Sequence, residues 1–139
     1  MKNILTAALA ATMLAACGFM TPAKQYAGDV QGVSGIAVIK GFVGKPFSDD
    51  YHVTIRGYSK LDPTGAGEHK QFGLPGFTDY PSEIQVLAGE YKFQVYCFNG
   101  FTSYRPSTTL PLQMGKTYLL KCEVRGGQAF VDVHASDTY

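Results

Sequence analysis

The amino-acid sequence predicts an all-β domain, a single β-sandwich of about seven short, mostly antiparallel strands. Three observations lead to this fold class. Residues that favour strands and turns are abundant, with 9 Tyr, 9 Phe and 16 Gly. Apolar and polar residues alternate in several short runs, which is the period of a strand with one buried face. Beyond the N-terminal segment, no amphipathic helical pattern interrupts these runs.

Residues 1–16 have the features of an export signal and are not expected to belong to the domain. Lys2 gives a short positive segment, and an apolar run extends from Ile4 to Leu14. This run is shorter than the roughly 20 apolar residues that a permanent membrane helix needs. Its position and its flanks are typical of a cleavable signal peptide.

The last four residues of this region, LAAC ending at Cys17, resemble a bacterial lipobox, the cleavage motif of lipoprotein signal peptides. The resemblance implies that Cys17 becomes an acylated N-terminus that anchors the protein in a membrane. Gly18 stands where an Asp commonly signals retention in the inner membrane, so the resemblance implies an outer-membrane protein that faces the periplasm. The alternative is an ordinary secretory signal that leaves Cys17 as a stray thiol, a liability in an oxidising compartment.

Charge argues against a nucleic-acid partner. Only Lys2, of the 12 basic residues, lies in the signal segment, so the rest of the chain balances its 11 acidic residues. A neutral chain without a Lys/Arg-rich run lacks the basic surface that nucleic acids require. The length suits one domain. We therefore expect a signal peptide at 1–16, a lipidated N-terminus with a flexible tether at 17–32, and the sandwich at 33–139.

The predicted strands follow the tether in order. Residues 33–40 are apolar on both faces, and residues 51–58 alternate cleanly, as in a half-buried strand. Residues 59–82 are rich in Gly and Pro, and we favour a short edge strand near residues 70–74 over a functional loop there. The remaining predicted strands are 83–87, 91–98, 108–112, 117–124 and 128–134.

Two stretches share one pattern: IQVLAGEYKFQVYC, from Ile84, and LPLQMGKTYLLKC, from Leu110. In each, an alternating run meets a glycine, and a second alternating run ends on a cysteine. Glycine turns of this kind often join antiparallel neighbours, because glycine readily adopts a positive φ. We therefore predict hairpins at Gly89 and Gly115, and a third at Gly126–Gly127.

The shared pattern resembles small bacterial lipoproteins with transthyretin-like or PEGA-like sandwich domains, over residues 84–133. The literal PEGA tetrapeptide is absent. The resemblance implies a non-enzymatic protein of the cell envelope. The number of strands and their turns are in addition compatible with a transthyretin-like or an immunoglobulin-like sandwich.

Cys97 and Cys122 fall in register with the apolar positions of strands that we expect to be neighbours. Facing positions on paired strands can meet the Cα separation of about 4.4 to 6.8 Å that a disulfide needs. In an exported chain we predict this disulfide; two buried free thiols are the alternative in a reducing compartment. The sequence has no C-x-x-C motif for redox activity and no nearby pair of histidines to complete a zinc site.

No residue is nominated as catalytic, and no cofactor or metal is predicted. Ser34 lies in GVSG, which lacks the G-x-S-x-G spacing of a nucleophile elbow. Asp49 and Asp50 are adjacent on a turn, where carboxylates accept backbone hydrogen bonds. Asp132 and His134 share one face of the last strand, but two ligands do not make a metal site. We therefore predict that the protein is not an enzyme.

Aromatic connections are the best binding candidates. Residues 98–109 place Phe101, Tyr104 and Arg105 between strands, and aromatic residues with Arg are enriched at interface hot spots. Tyr80 lies in a second aromatic segment. The alternative, which we favour, is that the phenylalanines of the first segment fold inward while Tyr104 packs over an edge.

Three functions follow from these features. The first is a non-catalytic accessory protein that binds an unknown envelope protein. The second is a module that binds an envelope glycan or a small ligand through its aromatic loops. The third is a hydrolase whose site the sequence does not reveal.

Overall fold

The computed structural model describes residues 23–24, 35–73 and 80–138. Cys17, the signal peptide predicted at 1–16 and all of the predicted tether except Ala23–Lys24 lie outside these residues. The described part contains no helix with the length and apolar character needed to cross a bilayer. Its strands are β1 (Ala23–Lys24), β2 (Ala37–Gly41), β3 (His52–Lys60), β4 (His69–Gln71), β5 (Glu83–Val86), β6 (Gly89–Phe98), β7 (Ser103–Tyr104), β8 (Ser107–Leu112), β9 (Lys116–Arg125) and β10 (Gln128–Asp137).

The strands form two packed sheets, so the predicted all-β sandwich is confirmed. Sheet A has the order β1-β5-β2-β9-β10, and sheet B has the order β4-β3-β6-β7, with β8 also paired to β6. All the pairings are antiparallel except β1 with β5 and β2 with β9. The described chain contains more strands than the seven predicted, because β1, β4 and β7 add short pairings. β4 confirms the short edge strand expected near residues 70–74.

The core lies between the sheets and is built from alternate strand positions. On β6, the side chains of Tyr91, Phe93, Val95 and Cys97 point inward. Complete burial of a large apolar side chain stabilises the folded state by about 1.5 to 3 kcal/mol. Apolar residues at every second position therefore indicate which side of a strand faces the core. The other buried core residues are Ala37, Ile39, Val53, Ile55, Ile84, Val86, Leu112, Tyr118 and Leu120.

Two of the three predicted hairpins are wrong. The turn at Gly89 joins β5 of sheet A to β6 of sheet B, and the turn at Gly115 joins β8 of sheet B to β9 of sheet A. At each of these turns the chain therefore passes from one sheet to the other. Alternation places apolar side chains inward whether the next strand lies beside the first or opposite it, so the pattern does not distinguish the two cases.

The third predicted hairpin is confirmed. Gly126 and Gly127 have φ values of 59° and 75° in a two-residue turn between Arg125 and Gln128, which face each other across β9 and β10. Two consecutive positive φ angles are what a type I′ turn requires.

The predicted disulfide between Cys97 and Cys122 is present, with the Cα atoms 6.2 Å apart. The expectation that it links neighbouring strands is wrong. Cys97 lies on β6 of sheet B and Cys122 on β9 of sheet A, so the bond spans the core and joins the two sheets. Packed sheets usually lie about 10 Å apart. The backbones of β6 and β9 come closer than this at the two cysteines, so their inward-pointing side chains can bond.

The disulfide marks one end of the sandwich, which we call the disulfide end. Three connections lie there: the loop 42–51 between β2 and β3, the loop 99–102 between β6 and β7, and the turn 126–127 between β9 and β10. β2 and β9 run parallel towards this end, and β6 also finishes there. The turns at Gly89 and Gly115 lie at the opposite end.

Candidate binding surface

Asn99 holds two loops of the disulfide end together. Its Oδ1 accepts hydrogen bonds from the backbone N–H groups of Phe101 (3.0 Å) and Thr102 (2.9 Å). Its Nδ2 donates to the carbonyl of Ser48 (3.0 Å). The backbone carbonyl of Asn99 accepts a further bond from the N–H of Phe47 (2.7 Å). One residue therefore fixes the loop 42–51 against the loop 99–102.

Phe47 and Phe101 present their rings to solvent at this end. Phe47 is 67% exposed and Phe101 is 74% exposed, and their ring centroids lie 4.9 Å apart in an edge-to-face arrangement. Phe47 has a φ of 57°, which is rare for a bulky side chain and costs about 1 to 3 kcal/mol. Strained backbone that holds an apolar ring in water points to a binding role. We call Phe47 and Phe101 the aromatic tip.

Gly100 makes the position of Phe47 possible. A Cβ atom on Gly100 would lie 2.7 Å from the ring of Phe47, and the φ of Gly100 is +96°. Both the close approach and the backbone angle favour glycine at this position.

The expected inward packing of the phenylalanines in segment 98–109 is wrong, because both side chains are exposed to solvent. Phe98 is 43% exposed, and Phe101 is more exposed still. Tyr104 does pack at the edge of the core, as expected, with its ring 5.7 Å from that of Tyr51. The hydroxyl of Tyr51 forms a hydrogen bond of 3.0 Å with Oγ1 of Thr102. Tyr104 therefore packs against Tyr51, the residue that links the loop 42–51 to the loop 99–102.

A second group of aromatic residues lies on the outer face of sheet B, centred on Tyr96. The ring of Tyr80 meets it edge-on at 5.7 Å, and the ring of Phe98 stacks on it at 6.1 Å. The guanidinium of Arg105 lies 5.9 Å from the centroid of Tyr96, within cation–π range. We call these four residues the Tyr96 row. The structure thus joins Tyr80 and Arg105 through a residue that sequence reasoning missed, although the alternation of β6 already placed it outward.

A cavity of about 380 Å³ separates the tip from the row. Residues 44–47, His52 and residues 98–100 line it. Small-molecule sites commonly occupy 300 to 1,000 Å³ and have mainly apolar walls, so this cavity has an appropriate size and character.

A larger cavity, of about 550 Å³, lies at the opposite end and includes a serine–histidine contact at its rim. Nδ1 of His69 lies 3.2 Å from Oγ of Ser59, and Nε2 of His69 lies 3.1 Å from Oε1 of Gln71. The partner of this imidazole is a neutral amide, which does not stabilise an imidazolium as a carboxylate does. The arrangement therefore falls short of a catalytic triad. The lining residues are Tyr58, Lys60, Glu68, His69, Lys70, Gln71, Leu87 and Tyr91.

Burial shifts two phenols of this larger cavity. It raises the pKa of Tyr58 and of Tyr91 above their ordinary value, and the charge of an ionised Tyr58 raises the pKa of Tyr91 further. The hydroxyl of Tyr91 donates to the carbonyl of Leu87 (2.8 Å). Both phenols therefore act as neutral hydrogen-bonding groups well into the alkaline range.

The remaining titratable candidates include a second histidine contact, between His134 and Asp132. Nε2 of His134 lies 2.9 Å from Oδ2 of Asp132, and both side chains are exposed on β10. In the loop after β3, a hydrogen bond from the hydroxyl of Thr64 lowers the pKa of Asp62. Across residues 23–24, 35–73 and 80–138, no three His, Cys, Asp or Glu side chains are placed to hold a metal ion. Ser34 lies outside the described residues.

Asn99→Ala is expected to lower the free energy of unfolding by about 1 to 3 kcal/mol, because loop groups lose their hydrogen-bond partners. Hydrogen exchange at the amides of Phe101 and Thr102 should become faster, since Oδ1 of Asn99 protects both. Asn99→Asp is the matched control: it keeps the acceptor but loses the donor to Ser48, and should lie between Asn99→Ala and the unmodified chain. Unchanged hydrogen exchange at both amides in Asn99→Ala would show that the side chain of Asn99 is not needed to hold the two loops together.

No protein-family model, no curated protein and no solved structure matches this chain.

Proposed function

We propose that this protein is a non-catalytic, lipid-anchored lipoprotein of the cell envelope that binds a protein partner through the Tyr96 row. In this proposal the acylated Cys17 holds the domain at the outer membrane, facing the periplasm. The role is that of an accessory protein, without cofactor, metal or nucleic acid.

Cysteine use supports the anchor. The sequence has 3 cysteines, and the disulfide between Cys97 and Cys122 accounts for two of them. An odd cysteine in an exported chain calls for a separate role, and the LAAC motif supplies one for Cys17. Several acyl chains on one residue give stable membrane anchoring, which a single chain does not.

The observation that carries the binding role is the Tyr96 row itself. Tyr80 and Arg105 both contact Tyr96, and Phe98 extends the row along β6. Aromatic and Arg side chains dominate the energy of protein interfaces, and side chains that already pack on one another lose less conformational entropy on binding. Opposite Tyr96 on β3, Oγ1 of Thr54 is buried and has no hydrogen-bond partner among the described residues.

Support for a non-catalytic role comes from the two histidine contacts. His69 faces Ser59 but lacks a carboxylate on its other nitrogen, and His134 pairs with Asp132 on an exposed strand. Neither arrangement combines a nucleophile, a base and an orienting acid, which acyl transfer needs.

A second candidate function is binding of an envelope glycan or a small ligand. The cavity of about 380 Å³ favours it, because the apolar Phe47 and Phe98 line it together with the polar His52. Apolar walls with a few convergent polar groups are the usual composition of such sites.

Site-specific photo-crosslinking in cells tests the protein-binding role. Ser103 is exposed and faces Phe98 across β6 and β7, so a photo-reactive residue there lies beside the row. Thr109 is exposed on β8 opposite Lys92 and serves as the matched control. We expect one discrete crosslinked protein from position 103, none from 109, and loss of the product when Tyr96→Ala is added.

Equal products from both positions, or a product that survives Tyr96→Ala, would contradict the assignment of the row. Mass spectrometry of the N-terminal peptide tests the anchor separately, because acyl chains on Cys17 add a mass that an ordinary signal cleavage does not. Binding of oligosaccharides that is lost in Phe47→Ala, with no crosslinked protein, would favour the second candidate.

A further inference from the structure

We propose that the aromatic tip inserts into the surface of the bilayer that holds Cys17, so that the sandwich stands on the membrane on its disulfide end. This inference rests on the proposed acylation of Cys17. It adds a second, non-covalent membrane contact and assigns the tip a lipid surface as its ligand, while the Tyr96 row remains free for a protein.

The first argument is the place where the chain enters the fold. β1 runs parallel to β5, with Ala23 opposite Ile84. β5 runs antiparallel to β2, and Glu83 at the start of β5 lies opposite Lys40 at the end of β2. The chain leaves β2 directly into the loop 42–51. β1 therefore also begins at the disulfide end, the end that carries the tip.

The second argument is length. Six residues of chain lead from Cys17 to Ala23, and a fully extended chain advances about 3.3 to 3.6 Å per residue. An acylated Cys17 thus stays within about 20 Å of the start of β1. The ten-residue strands β6, β9 and β10 are about 33 Å long, so the opposite end of the domain is too far away to face the same bilayer.

The third argument is the tip itself. Phe47 is 67% exposed and Phe101 is 74% exposed, and they come from two loops that Asn99 fixes together. The hydrogen bonds of Asn99 fix the backbone that carries both rings. Aromatic side chains favour the interface between water and lipid, where the apolar ring leaves water and nearby polar backbone stays hydrated.

The charges around the tip favour insertion over electrostatic attraction. Lys45 is exposed next to Phe47, but Asp49 and Asp50 are exposed on the same loop and outnumber it. An anionic lipid headgroup therefore gains little from this loop, whereas a zwitterionic bilayer suffices for insertion. Binding at the tip should accordingly persist at high salt, which screens charge but does not weaken apolar burial.

Single tryptophans report insertion directly, because the natural sequence contains no Trp. Phe47→Trp and Phe101→Trp place the reporter in the tip. Met114→Trp is the matched control: Met114 is 62% exposed beside the Gly115 turn, at the opposite end. Each full-length, processed chain is reconstituted into phosphatidylcholine vesicles whose acyl chains carry bromine, which quenches tryptophan only at close range.

We expect quenching about twofold or more stronger for Phe47→Trp and Phe101→Trp than for Met114→Trp, with emission at shorter wavelength that is unchanged at high salt. Equal quenching at all three positions, in a chain that carries its acyl groups and floats with the vesicles, would overturn the tip contact and leave the anchor standing. Quenching that disappears at high salt would also overturn it, because the contact would then be electrostatic.

The experiments distinguish failure of the proposed anchor at Cys17 from failure of the proposed tip contact. If Cys17 carries no acyl groups, the same three chains are read with vesicles in excess. Stronger quenching at the tip than at position 114 would then support tip insertion while rejecting the proposed anchor. An absence of quenching at the tip would reject the tip contact as well. Urea unfolding of each variant checks that the substitutions, all at exposed positions, leave the fold intact.

Discussion

Replacing Cys97 and Cys122 together by alanine is expected to lower the free energy of unfolding by about 3 to 4 kcal/mol. The bond closes a loop with a sequence separation of 25 and ties sheet A to sheet B. Without it, the unfolded chain regains the conformational freedom that loop closure removes, whereas the folded sheets keep their other contacts. Equilibrium unfolding in urea measures the loss as a shift of the midpoint.

The double substitution avoids two complications. Alanine adds no polar group at Cys97, which is fully buried, and no thiol remains that could pair wrongly with Cys17. The natural chain unfolded in the presence of a reductant is the control, and it should approach the variant in stability. A loss below about 1 kcal/mol would mean that the two sheets stay packed on each other without the disulfide.

Phe93→Ala is expected to cost about 3 to 5 kcal/mol, because it removes one of the largest fully buried side chains among the described residues. The ring of Phe93 lies 5.8 Å from that of Tyr91 and 6.2 Å from that of Tyr58. These rings are fixed by their own strands and cannot close the cavity completely. The midpoint of urea unfolding is again the measurement.

Phe98→Ala is the matched control, because it deletes the same side chain from the same strand on the opposite face. Phe98 is 43% exposed, so its loss should cost less than about 1 kcal/mol. Similar costs at the two positions would contradict the assignment of the faces of β6.

The strands could be predicted from the sequence, but their partners could not. Alternation on β6 and β9 identified the inward side chains, and Gly126–Gly127 specified its hairpin, because both signals are local. Whether the chain turns back beside a strand or crosses to the opposite sheet at Gly89 depends on contacts that are distant in sequence. The disulfide was therefore predicted correctly with the wrong strand arrangement.

The candidate site shows the same limit. Composition identified Phe101, Tyr80 and Arg105, because aromatic and Arg residues in connections are a local signal. Phe47 and Asn99 were missed, since their roles arise from a hydrogen bond between Ser48 and Asn99, 51 positions apart in the chain. No pattern within either loop indicates that the other loop is its partner.

The passage of the chain back and forth between the sheets has a consequence for biosynthesis. β2 lies at the centre of sheet A, between β5 and β9. During the proposed export, a chain that has crossed the membrane only as far as residue 115 lacks β9 and leaves one edge of β2 bare. Pairings so distant in sequence also form slowly. Native structure should therefore arise only after the last strands have been exported, and chains that end before β9 should aggregate through the uncovered edge.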